Sequence, residues 1–146
     1  MQTRINLQQL EPDAYKAMYG LEKYLSKAGL DSGIKHLVKI RASQINGCAF
    51  CIDMHTREAR ATGETEQRIY LLNAWRETDL FTPKEKALLA LTESVTHISN
   101  HVSDDVFATA ASFCEPNELA QWIMAIISIN SWNRIAISTR LPVPGE

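Results

Sequence analysis

The run Asn46-Gly47-Cys48-Ala49-Phe50-Cys51-Ile52-Asp53-Met54-His55 sets two cysteines three residues apart and a histidine four residues beyond the second. In a thioredoxin-type fold such a pair follows a β-strand. Here Ile34, Leu37, Val38 and Ile45 precede it at helical spacing, and Asn46-Gly47 is a turn pair between two helical runs. The motif therefore opens a helix in a chain that is helical on both sides, and the expected class is all-α.

Working outward, Glu11-Pro12-Asp13 starts a helix that carries Ala14, Met18, Leu21 and Leu25 and stops near Gly29; Asp31-Ser32-Gly33 starts the next. The motif helix runs to about Thr62, with Gly63 as its cap, because glycine enters the left-handed region without a side-chain clash. A fourth helix is expected to hold Ile69, Leu72 and Trp75 in register and to break near Thr78-Asp79. Thr82-Pro83-Lys84-Glu85 combines a capping box with proline at the first helical position, ahead of Leu88, Leu91, Val95 and Ile98. Ser103-Asp104-Asp105 opens a helix bearing Phe107, Ala110, Ala111 and Cys114. The last, about 118–138, is apolar around much of its circumference, so either the bundle or a partner subunit must cover more than one face. No alternating run bounded by hairpin turns reads as a strand, and Leu141 to Glu146 reads as an extended tail. The expectation is a bundle of about six to seven helices in a single domain, 1–146.

Lys and Arg total 15 against 17 for Asp and Glu, so no net field gathers nucleic acid or acidic lipid. The longest apolar run, Trp122 to Ile129, falls far short of the ~20 residues that span a bilayer. The N-terminus has no signal-peptide pattern. Three cysteines with one close pair argue against a secreted disulfide framework and for redox or metal use in a reducing, cytoplasmic setting.

On a helix, residues three, four and seven apart share a face, which points Cys48, Cys51 and His55 the same way. Cysteines at i and i+3 fall within the Cα separation a disulfide needs. The amides of the first turn favour a thiolate, and His55 can take the thiol proton. The expected chemistry is peroxide reduction: the thiolate becomes a sulfenic acid, which condenses with the second thiol and is then reduced by another dithiol. Two buried structural cysteines are one rival reading. Zinc is another, but it lacks a fourth ligand at finger-like spacing, and neither a metal nor an organic cofactor is expected.

Cys114 beside Phe113 reads as core rather than catalytic. His97 and His101 read as complements to a helix C-terminus, and Trp75, Trp122 and Trp132 as packing or subunit-contact residues. Asn130, Asn133 and Arg134 on a mostly buried helix require partners, at an oligomer contact or a pocket wall.

Residues 41–56, Phe81-Thr82-Pro83-Lys84-Glu85 through Thr92-Glu93, and Asn130-x-Trp132-Asn133-Arg134 together resemble the carboxymuconolactone decarboxylase and AhpD-like alkylhydroperoxidase family, in its Cys-x-x-Cys-x-x-x-His branch. The likeness spans roughly Asp31 to Arg140. It implies an AhpD-like fold, Cys51 as the cysteine that attacks hydrogen peroxide or an organic hydroperoxide, Cys48 as the resolving cysteine that meets the reductant, and His55 in the proton relay. It also implies a homo-oligomer, a trimer or hexamer, served by a dithiol reductant such as a lipoyl or thioredoxin-like protein. The family's best-known peroxidases carry a glutamate twelve residues before the first cysteine, where this chain has His36. Candidates for that relay position are His36 itself, Glu85, Glu22 and Glu93. A lactone decarboxylase and a non-enzymatic redox sensor are the competing functions.

Overall fold

Each helix begins or ends where the local chemistry of the chain requires it. In the computed structural model, which describes residues 2–145, these are α1 (Leu7–Leu10), α2 (Pro12–Lys27), α3 (Ser32–Asn46), α4 (Ala49–Ala61), α5 (Glu66–Tyr70), α6 (Pro83–Thr96), α7 (Asp104–Ala111) and α8 (Pro116–Thr139). Tight 3-10 turns occupy Leu72–Glu77 and Ile98–Asn100, and there is no strand among the described residues. The all-α expectation holds, with six helices of eight residues or more.

The Asp31 carboxylate accepts the Ile34 N–H at 2.9 Å and caps α3. Thr82 and Glu85 form the reciprocal capping box of α6, with Pro83 at its first position. Gly47 (φ +72°) and Gly63 (φ +98°) sit in the left-handed region at the ends of α3 and α4, so the chain turns there without a Cβ clash.

The fourth expected helix is divided. α5 stops at Tyr70, and Leu72 and Trp75 reach the core from the 3-10 turn, interrupted by the non-helical Ala74 (φ −116°, ψ 24°). Burial of those two side chains outweighs regular helix there. The four-residue α1 carries no buried residue and therefore no apolar periodicity to read. α7 ends at Ala111, three residues before Cys114, which is half-buried against the core while Phe113 is 40% exposed.

α3 is the central helix, packing against α4, α6 and α8. Val38 joins a cluster with Leu25, Leu88, Leu91, Trp122 and Ile126, whereas Leu37 and Ile40 join a second with Leu72, Trp75, Phe81 and Leu89. α8 is covered mainly by the bundle itself: Trp122, Ile126 and Ile129 are fully buried, and Ile127 is left partly exposed. Trp122→Ala is expected to lower unfolding free energy by ~3–5 kcal/mol, through lost transfer energy and the cavity left behind. A urea unfolding curve measures it, and a loss below ~1 kcal/mol would contradict this packing.

The end of α3 is fastened to α8 by polar groups. Asn46 donates to Asn133 (2.8 Å) and Asn130 (3.0 Å), Asn133 donates to Ser43 (3.0 Å), and Asn130 donates to Thr96 (3.0 Å). Buried amides without partners cost ~1–3 kcal/mol each, so this network holds the turn that launches Cys48. Asn130 and Asn133 thus find their partners inside the chain. Arg134 turns back onto the Asn130 carbonyl (2.9 Å).

No helix among the described residues is long and apolar enough to cross a membrane.

Candidate active site

Cys48 is the N-cap of α4, with extended backbone (φ −84°, ψ 94°), and Cys51 lies in the first turn. The Cys48 sulfur accepts the Cys51 N–H at 3.4 Å. The two cysteines are joined as a disulfide, with Cα atoms 5.3 Å apart, inside the usual range for such a bond. Both are all but buried, as is His55 one turn further along.

Cys51 and His55 line a cavity of about 310 Å³ between α2, α3, α4 and α8. Its wall is mostly apolar and aromatic: Phe50, Met54, Ile129, Trp132, Tyr15 and Tyr19. Cys48 is not among its lining residues. It lines an adjoining cavity of about 220 Å³, bounded by the C-terminal segment 140–143, that shares Phe50, Ala136 and Leu141 with the first. Spacing along a helix predicts one shared face for all three groups; the two sulfurs do meet, in the disulfide, while Cys48, a cap residue with non-helical backbone, does not line the larger cavity with Cys51 and His55.

His55 Nδ1 lies 2.8 Å from a carboxylate oxygen of Glu58. Burial pushes the imidazole below its ordinary pKa, and the Glu58 hydrogen bond only partly opposes this. The ring is therefore neutral near pH 7. With the Nδ1 hydrogen donated to Glu58, Nε2 keeps its lone pair and can act as a base. Sequence reasoning misses Glu58; its place three residues after His55 on the same helix face is the signal that marks it.

Glu22 enters the same cavity from α2. It accepts hydrogen bonds from Ser128 (2.5 Å), Trp132 Nε1 (3.2 Å) and Lys39 (3.2 Å). Burial pushes its carboxyl up, but these bonds and the Lys39 charge more than offset it and hold the group ionised, below the usual carboxylate range. Trp132 is thus a cavity wall as well as a packing residue, edge-on to Tyr15 with ring centres 5.2 Å apart.

The other relay candidates lie elsewhere. His36 sits one turn before Lys39 on α3 but lines neither sulfur's cavity. Its Nδ1 is buried without a hydrogen-bond partner among the described residues, and desolvation lowers its pKa. Glu85 is committed to the start of α6, where it receives Arg68 (2.6 Å) and the Thr82 N–H (2.7 Å). Glu93 receives Arg41 (2.8 Å), Trp75 Nε1 (2.9 Å) and Arg76 (2.6 Å), tying the 3-10 turn to α3 and α6. Of the four candidates only Glu22 reaches Cys51's cavity. His97 caps α6 and His101 caps the short turn after it, both through backbone geometry and away from that cavity. Among the described residues, no three His, Cys, Asp or Glu side chains gather as a metal site.

Residues 12–94 match the carboxymuconolactone decarboxylase family. The uncharacterized protein YdfG of Bacillus subtilis (strain 168) is 44% identical over 139 residues, spanning 94% of this chain and 95% of that one. Among solved structures, ATU0492 of Agrobacterium tumefaciens, a protein of unknown function for which an AhpD-type antioxidant-defence role has been suggested, superposes with a TM-score of 0.96 at 44% identity, covering 99% of this chain and 100% of that one. The debrominase Bmp8, solved with 2,3,4-tribromopyrrole, superposes with a TM-score of 0.80 at 16% identity over 94% of this chain and 74% of its own, a likeness of fold alone.

Proposed function

The chain belongs to the carboxymuconolactone decarboxylase family, in its AhpD-like form, and from that premise we propose that it is a thiol-dependent peroxidase acting on hydrogen peroxide or organic hydroperoxides. Because one fold serves several chemistries, the site must carry the assignment. One observation does so: an N-terminal helical turn holds Cys51 within disulfide reach of Cys48, on a cavity that also holds a neutral, Glu58-oriented imidazole.

In this reading His55 takes the Cys51 proton. The thiolate attacks the terminal oxygen of ROOH, an S–O bond forms as O–O breaks, and ROH leaves with the proton. Sulfur is oxidised by two electrons. The Cys48 thiol then displaces water from the sulfenic acid, giving the disulfide, and an external dithiol, from a lipoyl or thioredoxin-like protein, returns both thiols. A lactone decarboxylase has no use for such a pair. We further expect a homo-oligomer, a trimer or hexamer, in the cytoplasm. Self-association is supported by the partly exposed apolar groove of Ile98, Phe107 and Ile127, and the compartment by the odd cysteine count.

Stopped-flow mixing of the reduced protein with several hydroperoxides, followed by peptide mass measurement, tests the proposal. Rapid loss of two hydrogens across Cys48 and Cys51, with repeated turnover once a dithiol is supplied, is the expected result. Slow, unselective oxygen addition, or one oxidation without turnover, would move the assignment to a redox sensor.

A further inference from the structure

Lys39 is an unusual wall residue for a cavity that is otherwise mostly hydrocarbon. It reaches Cys51's cavity from the middle of α3, its side chain only 14% exposed. Among the described residues its ammonium makes a single hydrogen bond, to Glu22 at 3.2 Å. An ammonium has three donors, and two of them have no protein acceptor among the described residues. Glu22 is itself fastened by Ser128 and Trp132. The ammonium is thus held on a fixed anchor from one side, on the wall of the cavity that Cys51 lines.

Resting on the peroxidase reading above, we propose that Lys39, positioned by Glu22, hydrogen-bonds the departing oxygen of the hydroperoxide, with the organic group lying along Phe50, Met54 and Ile129. The step that gains is O–O cleavage. As the Cys51 sulfur takes the terminal oxygen, negative charge develops on RO, and a preorganised donor in a poorly solvated cavity stabilises it more in the transition state than in the ground state. His55, carrying the proton taken from Cys51, delivers it to RO, which leaves as ROH. Lys39 remains an ammonium throughout, so protons and electrons balance as in the parent reaction. The two cations divide the work: the imidazole moves the proton and the ammonium holds the oxygen. The apolar wall adds that hydroperoxides with a hydrocarbon group should react faster than hydrogen peroxide, which leaves that wall uncovered.

Rates are compared where the thiol is fully ionised, so that the loss of the Lys39 donors is read on the bond-breaking step alone. Lys39→Met keeps the aliphatic stem and deletes the donors. Its limiting, pH-independent rate of oxidation by tert-butyl and cumene hydroperoxides is expected to fall 10- to 100-fold. Across a series of hydroperoxides, its rate should depend more steeply on the acidity of the departing alcohol than the parent rate does. Lys39→Arg, which retains a fixed cation and donors, is expected to recover most of the loss and tests the idea independently if the methionine variant folds poorly. A limiting rate within twofold of the parent, or an unchanged leaving-group dependence, would overturn the role of Lys39. If the unmodified protein forms no Cys48–Cys51 bridge with any hydroperoxide, the peroxidase reading fails first.

Discussion

Cys51→Ser is expected to yield a folded protein in which hydroperoxide turnover has fallen on the order of 10³-fold or more. The substitution is nearly isosteric at a buried position whose N–H bond to Cys48 belongs to the backbone and survives. What is lost is the nucleophile: a serine hydroxyl does not ionise near neutral pH, and removing the attacking atom removes the route itself rather than one contribution to it. Cys48→Ser should behave differently. The first oxidation should persist at close to the parent rate, because the attacking sulfur belongs to Cys51 and Cys48 does not line its cavity, while the product should stop at a sulfenic acid that a dimedone probe traps at Cys51. If Cys48→Ser abolishes the first oxidation and Cys51→Ser spares it, the roles of the two sulfurs are reversed.

His55→Ala is expected to slow oxidation by ~10²- to 10⁴-fold at pH 7, the range for loss of a positioned base. The pH dependence gives the sharper test. Because burial lowers the His55 pKa, the free base persists below the ordinary value of ~6.5, so the acidic limb of the parent's rate profile should fall below that pH. A limb centred above it would contradict a buried, neutral imidazole. Stability carries the same signature. The unfolded chain takes up the proton near ~6.5 while the folded chain resists it, so the contribution of His55 is complete above that pH and is lost as pH falls through the folded value. His55→Ala should flatten that part of the stability profile, read from urea unfolding between pH 7 and 5. Glu58 opposes the shift, so Glu58→Gln is expected to move the rate limb further down.

Much of the site is legible in the sequence, because it is local. Cys48, Cys51 and His55 lie within one short segment, and helical spacing alone brings the last two to one cavity. Cys48, a cap residue off the helical path, still meets Cys51 in the disulfide but does not line that cavity. The relay candidates show the converse. His36, Glu85 and Glu93 are ordinary ionisable residues in sequence, and nothing local separates them from Glu22. Only the packing of α2 and α3 against α8 brings Glu22 and Lys39 to Cys51, while Arg68 claims Glu85 and a trio of donors claims Glu93.

By itself the chain determined its helices, the caps that end them and the spacing of the dithiol from its histidine, since these depend on backbone sterics and residues a turn or two apart. Tertiary structure decided which carboxylate and which ammonium share the cavity of Cys51, which side chains wall that cavity, and where the helix after Glu66 breaks. Those outcomes depend on which distant side chains compete for the same donors and the same buried volume, a competition with no short-range record in the sequence.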